Sequence, residues 1–170
     1  MTPVALALGG NAGLVEAAFD LALGQLGAVL GRLRVASLYR SRAVSPIAQP
    51  DYLNTAAIAR TTLSPEDLLG FAKALELAAG RRRGRRLGPR PLDIDLLLYD
   101  GLRSDDPALT LPHPRLAERR FVLAPLAEIA PDLPVPPAGI TIAELLRRLP
   151  TEPPVERLAW SHSPAGTAPH

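Results

Sequence analysis

Apolar positions along the chain recur at a spacing of two in some stretches and three to four in others, and these switches divide it into elements. Val4 to Leu8 is a short unbroken apolar run, as in a buried strand. Gly9-Gly-Asn-Ala-Gly13 then turns the chain into a helix over roughly residues 14–30. Leu33, Val35, Ser37 and Tyr39 alternate with Arg32, Arg34, Ala36 and Leu38, which predicts a second strand over 33–39. The segment from Ser41 to Asp51 carries Pro46 and Pro50 and predicts an irregular loop. A third strand is expected from Tyr52 to Arg60. Ser64-Pro65-Glu66-Asp67 reads as a helix start, with serine as N-cap, proline in the first turn and acids facing the dipole. Leu68, Ala72, Leu75 and Ala79 form that helix's apolar stripe, and Gly80 stops it.

Pro89 and Pro91 hold the next segment extended. Leu92, Ile94, Leu96 and Leu98 then alternate with Asp93, Asp95, Leu97 and Tyr99, which predicts a strand, although so short a run also permits a helix opening after Pro91. Asp100-Gly101 predicts a hairpin turn. Leu109-Thr110-Leu111 follows, then a rigid loop at Pro112-His113-Pro114-Arg115. Phe121 to Ala130 predicts a helix packing Val122, Leu123, Leu126 and Ile129, and the capping box Thr141-Ile-Ala-Glu144 opens a last helix to Leu149. From Thr151 the Pro/Ser/Ala-rich composition predicts a loose C-terminal tail, 151–170, after a single domain over 1–150. The order of elements predicts an α+β fold, a ferredoxin-like sandwich with a mainly antiparallel sheet and helices packed on it.

Composition narrows the class. The 170 residues are enough to bury about 70% of the unfolded surface around one core. No stretch approaches the roughly 20 apolar residues of a membrane span, and the start lacks a charged-then-apolar leader. There is no cysteine, so neither a disulfide nor a thiolate metal site exists, and a cytoplasmic location is expected. Net charge is only +2, and every basic residue of the 19 except Lys73 is arginine. Their clustering is therefore more informative than their number.

Arg81, Arg82, Arg83, Arg85, Arg86 and Arg90 form a cationic run with no acid between Leu77 and Leu92. Asp93 and Asp95 follow directly. At i and i+2 of a strand their Cα atoms lie roughly 7 Å apart with side chains pointing the same way. Such a pair can be a solvated acidic face. Beside an arginine run it also suits a polyanion that brings its own metal, with Mg²⁺ on the carboxylates and phosphate oxygens in the guanidinium forks. Asn54, poor strand material, needs a partner for its amide. Glu76 lies in a last helical turn, where the dipole disfavours an anion, and a pair with Lys73 is its ordinary explanation. The glycine turn lacks the Gly-Lys-Ser/Thr of a phosphate loop and reads as structural.

Arg86-x-Gly-Pro-Arg90-x-x-Asp93-Ile-Asp95-Leu-Leu resembles the signature of the 6-hydroxymethyl-7,8-dihydropterin pyrophosphokinase family. Tyr39-Arg40-Ser41, Gln49-Pro-Asp-Tyr-Leu-Asn54, Leu111-Pro-His-Pro-Arg115 and the segment from Phe121 to Pro131 are similar to further motifs of that family, in the same order. The resemblance runs from about Val4 to about Leu149. It implies the same sandwich fold, ATP as co-substrate, a dihydropterin as acceptor and two Mg²⁺ ions on Asp93 and Asp95. It implies catalytic roles for Arg81, Arg90, Asp93 and Asp95. Nucleotide contacts would come from Glu76, Arg81, Arg83, Arg86, Arg90, Leu96, Thr110, His113 and Arg119. Ser41, Val44, Tyr52, Asn54, Leu87 and Phe121 would hold the pterin. A monomer that engages neither nucleic acid nor membrane is expected.

The chain departs from the family at Gly10, commonly serine, a change expected to be harmless. It also departs at Leu87, commonly an aromatic, at Arg42, commonly proline, and in a slightly shorter arginine run. The rival reading is an RRM-like RNA-binding module, which shares the strand and helix order. Against it, the chain has few aromatics, 3 Phe, 3 Tyr and 1 Trp, and its carboxylate pair would repel RNA phosphates.

Overall fold

A computed structural model describes residues 1–43, 45–80 and 89–160. The opening apolar run becomes strand β1 (Thr2–Gly10). Gly13, at φ 71°, allows the chain to turn at once into helix α1 (Val15–Leu30). Helix α1 buries Val15, Phe19, Ala22, Leu23, Leu26 and Leu30 along one stripe.

The second strand is not continuous as expected. It is two pieces, β2 (Arg34–Val35) and β3 (Leu38–Ser41), both antiparallel to β4 (Tyr52–Thr61). The ladder breaks at Ser37, whose N–H and hydroxyl both donate to the Glu128 carboxylate. Helix α2 (Pro65–Ala78) starts where its cap predicts, with Ser64 Oγ accepting from the Asp67 N–H at 3.1 Å.

Strand β5 (Asp93–Tyr99) forms as expected, but its alternation does not run through. Opposite Ala5 and Leu6 of β1 the register shifts, pairing Leu6 with Leu96 and Ala5 with Leu98. Leu97 is the extra residue of this bulge. Leu97 and Leu98 therefore both join the core opposite to that of Ile94 and Leu96. Tyr99 crosses the other way, and its hydroxyl donates to the Leu63 carbonyl at 2.7 Å.

The Asp100-Gly101 turn is present, with Asp100 at φ 49°, yet no hairpin folds back onto β5. Asp100 N–H donates to the Pro3 carbonyl, and the Leu97 carbonyl accepts instead from His113 N–H. The chain leaves, and β6 (Ser104–Asp106) pairs with β7 (Leu109–Leu111) in a separate ribbon. Helix α3 (Arg120–Ile129) follows. A second ribbon, β8 (Pro134–Val135) with β9 (Ile140–Thr141), leads into α4 (Ile142–Arg148), which is capped by Thr141 as predicted.

The expected loose tail is corrected at Val155–Leu158, which forms β10 and pairs antiparallel with β3. Val155, Glu156, Arg157 and Leu158 show no alternation of apolar and polar positions, so the sequence carries no local strand signal there. Residues 161–170 lie outside the described residues.

The central sheet has the order β10-β3-β4-β1-β5, with β2 also on β4. Val4, Leu6, Leu8, Ile94 and Leu96 pack with Phe19, Leu23, Leu26 and Leu68 on one face. Ala5, Ala7, Ala56, Leu97 and Leu98 pack with Val122, Leu123, Leu126 and Ile142 on the other. The result is an α+β sandwich with a mainly antiparallel sheet, as expected. Because helices cover both faces, the sheet offers bases no open stacking platform, and the RNA-binding alternative is not supported. Among the described residues no helix is long and apolar enough to cross a membrane.

Candidate active site

The end of β1 and the starts of β4 and β5 meet at one end of the sheet. Gly9 stands opposite Asn54 on one side and Asp93 on the other, and Ala7 stands opposite Asp95. Cross-strand partners point to the same face. Glycine and alanine therefore leave open the space beside the two carboxylates. A Cβ at Gly9 would lie 3.0 Å from Asn54 Oδ1, so the Asn54 amide leans into the room that glycine provides.

Asp93 and Asp95 keep 22% and 41% of their side-chain surface exposed, enough to meet a ligand. Arg90 Nη1 lies 3.2 Å from Asp93 Oδ2. His113 Nε2 stands 3.8 Å and Arg119 Nη1 4.0 Å from Asp95 Oδ2. His113 Nδ1 accepts from the Arg115 N–H, which leaves its Nε2 facing Asp95. Burial lowers the His113 pKa, the Asp95 carboxylate works against this, and Arg119 and Arg115 reinforce it, so the ring is held below its ordinary value. Burial likewise lowers Arg119, whose guanidinium sits over the Phe121 ring at 5.6 Å.

Asn54 Nδ2 donates to Ser41 Oγ at 3.1 Å, and both residues are buried. Tyr52, paired with Ser41 across the ladder, is half-buried. The structure thus joins Ser41, Tyr52 and Asn54 on one side, and Arg90, Asp93, Asp95, His113, Arg119 and Phe121 on the other. Leu96 is only 4% exposed and its side chain belongs to the core, so any contact it makes with a nucleotide is through its backbone. Thr110 lies on the β6–β7 ribbon with its hydroxyl donated to the Asp106 carbonyl.

Glu76 is 4% exposed and its Oε1 accepts from the Ile94 N–H at 2.8 Å. It holds the backbone between the two aspartates, a role that neither a Lys73 pair nor a nucleotide contact had anticipated. Val44, Arg81, Arg83, Arg86 and Leu87 lie outside the described residues.

Asn11 is a further residue of this end, beyond those the sequence singles out. It is 4% exposed, and its Oδ1 accepts from the Arg90 N–H at 2.8 Å. Its Nδ2 donates to Gln49 Oε1 at 2.9 Å and to the Pro50 carbonyl at 3.0 Å. The N–H groups of Asn11 and Ala12 both donate to the Arg90 carbonyl. The only signal in the sequence was an amide inside a glycine turn. Gly10 fits the same contact: a Cβ there would lie 2.6 Å from the Pro91 carbonyl oxygen. Serine does not fit this backbone, so the departure at Gly10 goes with the close approach of the Arg90–Pro91 segment.

A wide cleft, about 1090 Å³, lies at the opposite end of the same strands, between Val4, Ile58, Leu98 and Leu133. Arg32, Arg34 and Arg60 border it, and Asp100 is its only carboxylate among the described residues. The converging charges are at the glycine end, which is the candidate site.

The donor set at that end suits Mg²⁺. Among the described residues no group of three or more His, Asp or Glu could hold a metal. The chain offers two exposed carboxylates on one strand face, and Mg²⁺ is commonly held by one or two carboxylates together with substrate phosphates and water.

A family model for 7,8-dihydro-6-hydroxymethylpterin-pyrophosphokinase (HPPK) matches residues 5–131. The chain is similar to the 2-amino-4-hydroxy-6-hydroxymethyldihydropteridine pyrophosphokinase of Synechocystis sp., with 44% identity over 144 residues, 84% of this chain and 73% of that one. It is 43% identical over 151 residues to the enzyme of the same name from Methylorubrum extorquens, covering 88% of this chain and 94% of that protein. Its fold also matches the crystal structure of wild-type Plasmodium falciparum HPPK-DHPS, with a TM-score of 0.66 at 13% identity. That match covers 86% of this chain but only 44% of the longer Plasmodium chain.

Proposed function

We propose how this chain, which belongs to the 7,8-dihydro-6-hydroxymethylpterin-pyrophosphokinase family, uses the glycine end of its sheet. It is a transferase of folate biosynthesis that moves pyrophosphate onto 6-hydroxymethyl-7,8-dihydropterin. ATP is the donor in this reading. The pterin's hydroxymethyl oxygen attacks the β-phosphorus in line, the bond from that phosphorus to the α,β-bridging oxygen breaks, and AMP leaves. The hydroxymethyl proton passes to solvent.

The convergence of Arg90, His113 and Arg119 on Asp93 and Asp95 supports this reading most. Catalysis here is mostly positioning and charge neutralisation. Asp93 and Asp95 would hold two Mg²⁺ ions, which when bound offset the charge of the phosphates and fix their oxygens. Arg90 and Arg119 are placed to take up phosphate charge as the ion pairs with the aspartates rearrange. His113, held neutral, can donate its Nε2–H to a phosphate oxygen without adding a cation. Arg81, Arg83 and Arg86 would add further phosphate contacts, with Glu76, Leu96 and Thr110 on the nucleotide side.

On the pterin side, the Asn54 amide offers a donor and an acceptor matched to a lactam and its amino group. Tyr52 and Phe121 supply aromatic faces, with Ser41, Val44 and Leu87 beside them. A cysteine-free chain suits the cytoplasm.

The test is AMP release from ATP with 6-hydroxymethyl-7,8-dihydropterin, with and without Mg²⁺. Transfer that requires both the pterin and the metal is expected. Equal AMP release in excess chelator would sink the metal assignment, and none with this pterin would sink the substrate.

A further inference from the structure

We propose that Asn11 is a positioning residue that couples the two substrate subsites, an inference that rests on the reading of the site given above. Its amide is the point where the two segments flanking the site meet. One side-chain oxygen holds the backbone N–H of Arg90, three residues before Asp93. The nitrogen of the same amide holds Gln49 and Pro50, immediately before the segment carrying Tyr52 and Asn54. All three bonds are 3.0 Å or shorter, and the residue is 4% exposed.

The amide plane is rigid, so its acceptor and its donors turn together. A polyanion that fixes Arg90 fixes the orientation of the Asn11 amide. That in turn fixes where Gln49 and Pro50 sit before any pterin arrives. By reciprocity, a bound pterin favours the same placement of Arg90. Asparagine is the residue for this task. Aspartate keeps the acceptor and loses both donors, while alanine loses all three bonds. Gly10 and the backbone N–H groups of Asn11 and Ala12 hold the strand end against Arg90 and Pro91 whatever residue 11 carries. The side chain is thus available for the second link.

The experiment measures pterin affinity by its fluorescence, with and without Mg²⁺ and α,β-methylene-ATP, whose bridging carbon blocks transfer. The ratio of the two dissociation constants is the coupling factor. Wild-type transfer activity is measured first; its absence would overturn the functional reading, and this inference with it. With transfer established, the factor should fall at least fivefold in Asn11→Ala. In Asn11→Asp it should fall by a similar amount although the Arg90 bond is kept. Gln49→Ala, which removes one of the two acceptors of the Asn11 donors, should lower it at least twofold and serves if residue 11 variants do not fold. A merely structural role would lower the melting temperature and leave the factor within twofold of wild type. That result, or a wild-type factor of one, overturns the proposal.

Discussion

The strands β1, β4 and β5 end in two very different places. At one end Gly9, Gly10, Asn11, Asn54, Asp93 and Asp95 place backbone and polar groups close together with little bulk between them. At the other, Val4, Ile58 and Leu98 border a wide cleft of about 1090 Å³. The wide cleft has the weaker chemistry. Its three arginines, Arg32, Arg34 and Arg60, are exposed and accompany one carboxylate among the described residues, whereas the glycine end draws cations towards two carboxylates from separate segments. What distinguishes the candidate site is the convergence of charge, with small residues making room for it. The two ends should therefore fail differently when mutated.

The largest effect is expected at Asp95. Asp95→Asn keeps the shape and removes a negative charge where the proposed Mg²⁺ ions would sit, so turnover should fall by at least a hundredfold, about 2.7 kcal/mol of barrier. Its melting temperature should stay close to wild type, since the side chain is 41% exposed. Turnover within threefold of wild type at limiting Mg²⁺ would remove Asp95 from the reaction.

Arg90 comes next, and it sharpens the comparison because arginines border both ends. Arg90→Ala should slow transfer more than tenfold, above about 1.4 kcal/mol. Arg60→Ala, at the cleft, should change it less than twofold. Equal losses would mean that the chain uses only diffuse positive charge.

Much of this contrast was legible in the sequence, and the gaps have physical causes. Strand and helix periods, caps and the Asp93/Asp95 pair are local patterns, and they appear where expected. The β5 bulge is not local. It depends on Ala5 and Leu6 across the ladder, so Leu97 keeps its expected face while Leu98 and Tyr99 lie on the faces opposite to those the alternation predicts. The hairpin after Asp100 failed because Pro3 and His113 took the bonding groups it needed. β10 is a short edge strand whose partner lies more than a hundred residues earlier. In the site, charged residues announced themselves by type and clustering. Asn11 did not, and Glu76 stood out without its role being legible, because each acts on the backbone of a distant segment, and no spacing along the chain encodes that.

Gly10→Ser probes how tightly the glycine end is built. With a Cβ at 2.6 Å from the Pro91 oxygen, the Arg90–Pro91 segment must shift. A three- to tenfold loss of turnover and a destabilisation of about 1–3 kcal/mol are expected. An unchanged turnover and melting temperature would show that the segment yields freely. Leu98→Ala makes the opposite change at the cleft end. Leu98 is 3% exposed, so the cavity should cost about 2–5 kcal/mol of stability in denaturant. Turnover of the folded protein should stay within twofold. A larger drop would mean that the two ends are not independent.

The smallest effect on turnover is expected at Glu128, and it tests the same contrast with carboxylates. Glu76 and Glu128 both reach from a helix to a sheet backbone, Glu76 beside the aspartates and Glu128 at Ser37. Glu128 also accepts from the Tyr39 hydroxyl at 2.7 Å and from Arg157 at 3.2 Å, which ties α3 to β3 and β10. Burial raises its carboxyl, but the bonds from Tyr39 and Ser37 and the charge of Arg157 outweigh this and hold it below its ordinary value. The stability it contributes is thus fully present above the unfolded value of about 4.3 and is lost as pH falls through the lower folded value. Glu128→Gln should cost about 1–3 kcal/mol at pH 7 with turnover unchanged. Compared by urea unfolding, wild type and variant should differ by a constant amount from pH 8 down to about 5 and converge only at lower pH. A gap that stayed the same down to pH 3 would show that shape, and not the charge on Glu128, holds α3 to the edge strands.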